Sequence, residues 1–208
     1  MRKLIALTFL TLDGVMQGPG GPGEDDSGGF KSGGWSVNYF DDAVGEAMNV
    51  DMDKPHELVL GRKTYDLMVA YWPHATPEEG GDQMNKPKKY IFSNTLNNVD
   101  AWENSVLVKG DAVTEVQRLK EMDGPELQVH GSGGLLQTLL KHNLVDELHL
   151  KIFPLVVGNG KRLFGEGTNP TAFKVIDSKT SPSGVIIANY ALDGDLKVGT
   201  FALENPPA

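Results

Sequence analysis

The chain has 208 residues, of which 39% are hydrophobic and 23% are charged, and these values suit one globular domain with a full-sized core. Its formal net charge of −9 argues against a broad nucleic-acid-binding surface. The absence of cysteine excludes disulfides and thiolate chemistry. The five histidines show no metal-ligand spacing, so no metal site is predicted.

The N-terminus starts like a secretory signal, with Arg2 and Lys3 before an apolar run. That run is broken at Thr8, Thr11 and Asp13, and no small-residue cleavage site follows. No stretch of the sequence is long enough to span a membrane. We therefore expect a cytoplasmic protein without a membrane or nucleic-acid partner.

The first predicted elements are a strand, a long loop and a helix. Residues 3–12 are apolar on both faces, which predicts a central strand covered on both sides. Residues 17–34 are rich in glycine, and a loop this long inside a compact domain is more often a functional lid than a linker. Residues 40–52 predict a helix, with Asp42 and Glu46 on a face beside its apolar stripe.

A strand–turn–helix pattern follows. Residues 56–60 predict a short buried strand, and the helix after it ends before Pro73. Between them stand Arg62 and Lys63, and we expect Thr64 to cap the helix. Two cations beside a helix start favour an anion site in so acidic a chain. The alternative is that they are solvated surface charges.

A second such pattern spans residues 126–140. Leu127 and Val129 alternate as in a strand, the glycines of residues 131–134 break that period, and leucines at helical spacing follow. Free N–H groups at the start of the helix attract a phosphate, and glycine lets the phosphate approach. A tight turn without a ligand is the alternative reading of these glycines.

Together, these segments predict a three-layer α/β domain over residues 1–208. It has a mixed, mainly parallel sheet of about eight strands, helices on both faces and a C-terminal antiparallel hairpin. Right-handed crossovers place the turns after the strands along one edge of the sheet, where open α/β sheets bind ligands. The remaining segments predict strands at 90–92, 106–108 and 146–153, a helix at 112–122, a glycine loop at 156–164 and a hairpin of 172–178 with 185–192. Residues 194–208 are predicted to form an edge strand, at 197–203, and a tail, at 205–208.

The order of short motifs resembles the dihydrofolate reductase-like superfamily, and most closely its branch related to the reductase domain of riboflavin biosynthesis. The resemblance covers about residues 3–192. It is carried by Leu12-Asp13-Gly14, Leu60-Gly61-Arg62-Lys63-Thr64-Tyr65, Ser93-Asn94, Val108-Lys109-Gly110, His130-Gly131-Ser132-Gly133-Gly134-Leu135, Asp146-Glu147-Leu148, Pro154-Leu155-Val156-Val157-Gly158-Asn159-Gly160 and Leu163-Phe164.

The resemblance implies NADPH as the cofactor and assigns residues to its parts. The implied contacts with the pyrophosphate and the 2′-phosphate are Gly61, Arg62, Lys63 and Thr64, and those with the adenosine and the 2′-phosphate are Ser93, Asn94 and Lys109. The implied glycine turn on the pyrophosphate consists of Gly131, Ser132, Gly133, Gly134 and Leu135. The implied neighbours of the nicotinamide are Phe9, Met16 and Gln17. The long glycine loop would take the place of the lid.

The acid that folate reductases carry on their first helix would, by spacing, fall at Gly45. Glu46 is next to it and Asp42 is one turn earlier. His149 falls where folate reductases place a hydroxyl beside the acid, so we predict that His149 pairs with Glu46 or Asp42 and supplies the proton that follows hydride transfer. In the alternative reading, His149 and Lys151 lie on a solvent-facing strand.

The predicted function is therefore NADPH-dependent hydride transfer to a small heterocyclic or conjugated substrate, such as a pterin, a pyrimidine or a flavin precursor. The chemistry belongs to the cofactor, and the protein provides positioning and electrostatics. The alternative is a catalytically silent NADPH- or nucleotide-binding dimeric protein, since the acid is missing. The resemblance also implies a homodimer that pairs through residues 161–164 and the closing hairpin.

Overall fold

A computed structural model describes residues 1–201 of the chain. Its strands, in chain order, are β1 (Leu4–Thr11), β2 (His56–Gly61), β3 (Lys89–Phe92), β4 (Ser105–Val108), β5 (Glu126–His130), β6 (Glu147–Phe153), β7 (Thr171–Thr180) and β8 (Ile186–Asp195). Its α-helices are α1 (Asp42–Met52), α2 (Arg62–Met68), α3 (Gly81–Asn85), α4 (Ala112–Glu121) and α5 (Gly133–Lys141). The eight strands predicted before residue 194 are all present.

The eight strands form one sheet in the order β4-β3-β2-β5-β1-β6-β8-β7. Strands β1 to β6 run parallel to one another, whereas β8 runs antiparallel to both β6 and β7. This confirms the predicted mixed sheet with its closing hairpin. Strand β1 lies in the interior of the sheet between β5 and β6 and is covered on both faces, which explains why its residues are apolar on both faces.

Helices cover both faces of the sheet, as predicted. On one face, α4 and α5 pack with Leu4, Ala6 and Leu10 of β1 in a shared hydrophobic core. On the other face, α1 packs over β1, β6 and β8, and α2 and α3 pack over β2 and β3. The two faces therefore differ in their helices, and the polar groups described below lie on the face covered by α1.

Asp41, the residue before α1, caps the helix and ties it to the C-terminal hairpin. The Asp41 carboxylate caps the helix by accepting from the Val44 N–H at 3.0 Å, and it also accepts from the Ser183 N–H at 2.9 Å. The cap explains why the helix begins at Asp42 rather than at residue 40. The contact with Ser183 ties α1 to the turn of the C-terminal hairpin and sets its position over β6.

Two local predictions are wrong. Thr64 does not cap α2, because the helix already begins at Arg62 and Thr64 lies inside it. Residues 197–201 form no strand, and the rest of the predicted edge strand lies outside the described residues. Alternating apolar residues form a strand only where a face can be buried, yet Val198 is 89% exposed and Phe201 is fully exposed.

The glycine-rich loop is packed against the domain rather than extended. Its predicted anchors Phe30 and Trp35 are buried together with Val15. The Trp35 Nε1–H donates to the Gln17 carbonyl at 2.7 Å. Within residues 1–201 no helix is both long and apolar enough to cross a membrane.

Candidate functional site

A cavity of about 270 Å³ opens at the carboxyl ends of β2, β3 and β4, beside the start of α5. The prediction that the turns after these strands meet at one edge is therefore confirmed. The cavity brings together five of the predicted cofactor residues, and its lining consists of Gly61, Arg62, Ser93, Asn94 and Leu135 from that set, with Phe92, Val108, Gly110 and Ala112. The last four were not predicted as site residues, although Val108 and Gly110 flank the predicted Lys109.

The two predicted phosphate-binding turns are joined by hydrogen bonds. The Gly61 N–H donates to the Ser132 hydroxyl at 3.0 Å, and the Ser132 N–H donates to the Thr64 hydroxyl at 3.1 Å. The Ser132 hydroxyl in turn donates to the His130 carbonyl at 3.2 Å. Ser132 and Thr64 therefore hold the two turns side by side, and their hydroxyls are engaged within the protein.

The start of α5 presents backbone N–H groups beside the cavity. The N–H groups of Gly133, Gly134 and Leu135 belong to the first turn of the helix, where a carbonyl four residues earlier is not available within the helix. A Cβ atom added at Gly134 would meet no atom within 4 Å. Gly131 has a φ of 58°, a conformation that favours glycine. The turn therefore leaves space for a ligand beside Gly134, whereas its backbone conformation favours glycine at residue 131.

Arg62 is the cation that the structure places at the cavity. Its Nη1 donates to the Thr95 hydroxyl at 2.6 Å, and its Nε donates to Asp66 at 3.3 Å. These contacts orient the guanidinium, although half of the side chain stays exposed. Lys63 and Lys109 are exposed and do not line the cavity.

Ser93 and Asn94 shape the far wall of the cavity. The Ser93 hydroxyl accepts from the Thr95 N–H at 3.2 Å, and the Asn94 Oδ1 accepts from the Gly110 N–H at 2.8 Å. The second bond joins the turn after β3 to the turn after β4. The pair therefore fixes one wall of the cavity, at residues that the resemblance implies as contacts with the adenosine and the 2′-phosphate.

The residues predicted beside the nicotinamide lie further along the same edge. Met16 is buried, and a Cβ atom added at Gly133 would come within 3.2 Å of its Sδ, so Met16 packs against the start of α5. Phe9 is half-buried, and its ring centroid lies 5.2 Å from that of Phe153 and 6.2 Å from that of Phe40. This aromatic group continues the edge from α5 toward β6 and the start of α1.

Gln17 uses both ends of its side chain to hold the glycine-rich loop. Its Nε2 donates to the carbonyls of Asp25 and Ser27, each at 2.9 Å, and its Oε1 accepts from the Lys161 N–H at 2.9 Å. The Lys161 ammonium forms a close ion pair with Asp25 and donates to the Ser27 hydroxyl at 2.6 Å. Gln17 and Lys161 together fasten the loop to the domain.

The predicted partner of His149 is wrong. Asp42 and Glu46 are both exposed, and Glu46 lies 3.7 Å from Lys179 instead. His149 is buried, and its Nδ1 lies 2.7 Å from the Asp51 carboxylate. The physical reason is helical phase, because the face of α1 toward the sheet is formed by Val44, Ala47 and Asp51, at successive spacings of three and four residues. Continuing that stripe to its end would have identified Asp51.

The solvent-facing reading of this strand is also wrong, since His149 is 4% and Lys151 is 2% exposed. The Lys151 ammonium donates to the second oxygen of Asp51 at 2.7 Å. On its other side, His149 Nε2 lies 3.2 Å from Glu147, which in turn pairs with Lys3 at 2.5 Å. We call Lys3, Glu147, His149, Asp51 and Lys151 the charge chain, because basic and acidic groups alternate along it. Lys3 at its outer end is exposed, whereas the other four residues are buried.

The charge chain keeps its carboxylates ionised. Burial raises the pKa of Asp51, but the hydrogen bond from His149 and the positive charge of Lys151 outweigh burial and lower that pKa to about 2. The pKa of Glu147 is also lowered, because the bonds from Lys3 and His149 outweigh its burial. Both groups therefore remain anionic near neutral pH.

A hydrogen-bonded path connects the charge chain to the glycine turn. Gln128 Nε2 donates to the Asp51 carbonyl at 2.9 Å, and His130 Nε2 lies 3.0 Å from Gln128 Oε1. Burial, together with the charges of His56 and Lys151, lowers the pKa of His130 to about 3. His130 is therefore neutral and donates from Nε2 to Gln128, directly before Gly131.

Comparison with known proteins agrees with this geometry. The model of the RibD C-terminal domain matches residues 2–187. The uncharacterized protein YyaP of Bacillus subtilis (strain 168) is 28% identical over 197 residues, covering 93% of this chain and 96% of that protein. A putative riboflavin biosynthesis protein from Shewanella sp. PV-4 superposes with a TM-score of 0.67 and 26% identity, covering 92% of this chain and 99% of that chain.

The fold is also that of dihydrofolate reductase. The enzyme from Enterococcus faecalis, complexed with NADP(H), superposes with a TM-score of 0.59 at 12% identity and covers 92% of this chain and 96% of its own. The predicted dihydrofolate reductase-like architecture and the resemblance to the riboflavin-reductase branch are both confirmed. Because the family model matches residues 2–187, well over half of the chain, the chain belongs to the RibD C-terminal domain family.

Proposed function

We propose that this chain is an NADPH-dependent reductase of a small conjugated or heterocyclic molecule. Membership of the RibD C-terminal domain family indicates a reductase. The observation that carries the proposal is the cavity at the carboxyl edge of the sheet, where Arg62, Asn94 and the start of α5 meet. It combines a cation, amide groups and open backbone N–H groups, which are the donors that a phosphorylated dinucleotide requires.

The residues at this edge fit NADPH in extended form. The pyrophosphate would lie on the N–H groups at the start of α5, where Gly134 leaves open space. Arg62 would hold the 2′-phosphate with a bidentate, charge-assisted contact. Met16 and Phe9 would border the nicotinamide. When bound, NADPH supplies a hydride from its nicotinamide ring.

The protein's contribution at the substrate end is positioning and exclusion of water. Trp35 and Phe153 are buried against each other, with ring centroids 5.3 Å apart, and Phe9 packs on the same group. Phe40 stands at its rim and is 46% exposed. This aromatic wall offers a face on which a planar substrate can stack while water is kept from the reacting atoms.

One observation favours the alternative of a silent nucleotide-binding protein. Gly45 occupies the position at which folate reductases carry their acid, and α1 places no carboxylate in its first two turns toward the sheet. Such a protein would bind NADPH through the same cavity without turnover. The two functions therefore share the cofactor site and differ only in their chemistry.

The test is an NADPH titration followed by fluorescence, and then oxidation assays with dihydrofolate, flavin precursors and quinones. We expect saturable binding of NADPH and oxidation with at least one of these substrates. Failure to bind NADPH would overturn the proposal. Binding without oxidation by any substrate would favour the silent nucleotide-binding protein.

A further inference from the structure

We propose that His130 is a specificity-determining residue of this site, and that its Nδ1 accepts a hydrogen bond from an N–H or O–H group of the substrate. The inference rests on the proposed reductase function and deepens it, because it states which group the substrate must present. The cofactor contacts proposed above do not use this histidine, although it stands directly before the turn of Gly131.

His130 ends β5 on the face of the sheet that α1 covers. Leu127 and Val129 belong to the core on the opposite face, so the alternation of the strand turns Gln128 and His130 toward α1. The contact of Gln128 with Asp51 of α1 agrees with this orientation. His130 therefore shares a face of the sheet with the aromatic wall and not with the core under α5.

The strand register places His130 beside the substrate end. Its ladder partner on β1 is Leu7, and Phe9 lies two residues further along the same strand and on the same face. Neighbouring strands lie about 4.8 Å apart and rise about 3.3 Å per residue, so the Cα atoms of His130 and Phe9 are about 8 Å apart. A planar molecule stacked on Phe9 can therefore reach the His130 ring.

The face of the sheet under α1 is accessible at this point. Gln128, His149 and Lys151 are buried on that face, whereas His130 and Phe9 are half-buried and keep part of their surface accessible. An accessible part of the face therefore lies at the carboxyl ends of β5 and β1. This is the edge at which the proposed cofactor would lie.

The hydrogen bonds of Gln128 fix the state of the His130 ring. Gln128 Nε2 donates to the Asp51 carbonyl at 2.9 Å, and because a carbonyl only accepts, the amide presents its nitrogen there and its oxygen to His130. The amide oxygen also only accepts, so His130 Nε2, at 3.0 Å, carries the proton. In the neutral ring, Nδ1 is then a hydrogen-bond acceptor.

This acceptor is unused within the part of the chain that the structure describes. Over residues 1–201 no hydrogen bond is formed to His130 Nδ1. It is also not among the buried side-chain atoms of that range that lack a partner, so the atom is accessible from outside. Burial and the nearby charges of His56 and Lys151 keep the pKa of the ring at about 3, so Nδ1 stays unprotonated near neutral pH.

An accessible acceptor at the substrate end selects the group that faces it. A substrate N–H or O–H pairs with Nδ1, whereas a carbonyl oxygen or a methyl group leaves the nitrogen without a partner once water is expelled. That difference corresponds to about tenfold or more in affinity. The same bond would hold a ring stacked on Phe9 in one orientation relative to the nicotinamide.

The first test is the ¹⁵N NMR spectrum of protein labelled at histidine, which distinguishes protonated from unprotonated ring nitrogens. The signals of His130 are assigned by their loss in His130→Gln. We expect a protonated Nε2 and an unprotonated Nδ1 at neutral pH. A proton on Nδ1 at that pH would leave no acceptor and would overturn the inference.

The second test uses quinazolin-4-one, a planar lactam with one ring N–H, and its 3-methyl derivative, which lacks that donor. With the NADP⁺-loaded protein, calorimetric titration should show at least about tenfold tighter binding of quinazolin-4-one. His130→Phe keeps a ring and removes Nδ1, so it should bind the two probes nearly equally. His142→Phe, the same substitution at an exposed residue after α5, should keep the preference.

The outcomes separate this inference from the proposed function. If the wild-type protein fails to bind NADPH, the proposed function fails and this inference with it. If NADPH binds, the inference alone is overturned by equal affinities for the two probes, by binding of neither, or by a preference that persists in His130→Phe and so reflects the size of the methyl group. Equal losses of NADPH and quinazolin-4-one in His130→Phe would assign the residue to the turn of Gly131 instead. If that variant does not fold, the ring protonation and the probe preference of the wild type still decide the inference.

Discussion

Arg62 stands apart from the other cations that the sequence placed at the cofactor. Its guanidinium lines the cavity and is held by Thr95 and Asp66, whereas Lys63 and Lys109 project into solvent. A preorganised planar fork recognises a phosphate with less loss of side-chain entropy than a flexible lysine. The preference for NADPH over NADH should therefore depend mainly on this one residue.

We expect Arg62→Ala to weaken NADPH binding about ten- to a hundredfold, the value of a charge-assisted contact, and to leave NADH binding nearly unchanged. Isothermal titration with both cofactors measures this. Arg118→Ala is a matched control, because Arg118 forms a similar exposed pair with Glu115 at 2.9 Å on α4. Equal losses for the two cofactors would assign Arg62 to the pyrophosphate and contradict its role at the 2′-phosphate.

The glycines of the turn before α5 have separate roles. Gly131 has a positive φ, whereas Gly133 and Gly134 do not, so backbone strain is not a reason for glycine at the last two positions. The variant Gly134→Val should therefore fold but should not bind NADPH, since the valine side chain would occupy the open space above the helix start. Valine at Gly133 must also displace the flexible end of Met16.

Thermal unfolding and NADPH titration of Gly134→Val test this. We expect an unfolding temperature close to that of the wild type and no detectable binding. Thr138→Val, one turn further along the exposed face of α5, introduces the same side chain away from the cavity and should bind normally. Unfolding of Gly134→Val would show that this glycine serves the fold instead.

The sequence identified His149 but not its partner, and the difference is physical. The position of His149 on a covered strand follows from local alternation and from resemblance. Its partner depends on the rotation and direction of α1, which are set by tertiary contacts such as that between Asp41 and Ser183. Asp42 and Glu46 have the right charge but the wrong helical phase, and Asp51 lies at the opposite end of the helix.

At the scale of elements, the turns at the carboxyl edge were the most predictable part of the molecule. Each follows a short buried strand directly, so strand direction and right-handed crossovers alone place them together. The hydrogen bonds between the turns, such as that from Gly61 to Ser132, could not be predicted, because they depend on the side-chain rotamers of residues far apart in the chain. Helix α3 was missed because its five residues carry no helical period.

The glycine-rich loop is fastened to the domain by polar contacts of Gln17 and Lys161. Lys161 pairs with Asp25 and bonds to Ser27, and Gln17 bonds to the same two residues. Lys161→Met should remove two of these contacts and keep the apolar anchor Phe30. We therefore expect local opening of the loop without global unfolding.

Hydrogen exchange followed by mass spectrometry measures this opening. Peptides within residues 18–34 should exchange faster in Lys161→Met, while the unfolding temperature changes little. Lys174→Met is the matched control, since Lys174 forms an exposed pair with Asp193 at 3.3 Å on the hairpin, and it should leave the loop unchanged. If peptides of the loop exchange as slowly in Lys161→Met as in Lys174→Met, the loop is held by Phe30 and Trp35 alone and not by Lys161.

At the scale of the whole molecule, ionisable groups whose pKa values the fold shifts couple folding to pH. The folded state lowers the pKa of His130 from 6.5 to about 3, so below pH 6.5 the unfolded chain binds a proton that the folded chain does not. Stability therefore rises with pH between about 3 and 6.5. The lowered pKa of Asp51 adds stability above pH 4 that is lost as pH falls toward 2.

We expect the unfolding temperature to fall on acidification, beginning below pH 6.5. His130→Gln keeps an amide that can donate to Gln128 and removes the titration. Its unfolding temperature should depend less on pH between 4 and 6.5 than that of the wild type. Parallel pH profiles for the two proteins would show that His130 does not make this contribution.

The hairpin leaves the molecule with an uncovered edge, and from this we predict a homodimer. Strand β7 is the outer strand of the sheet, and it exposes Val175 and Ile176 to 58% and 50%. Exposed apolar edge strands associate unless they are covered. Phe164, which is 46% exposed, belongs to the predicted surface of residues 161–164.

Light scattering should give a mass about twice the chain mass of 22.5 kDa. Val175→Lys should shift the protein toward the monomer. Val106→Lys, on the opposite edge strand β4 and 40% exposed in the wild type, should not. A wild-type mass of one chain at micromolar concentration would contradict the dimer, and dissociation caused by Val106→Lys alone would place its interface on β4.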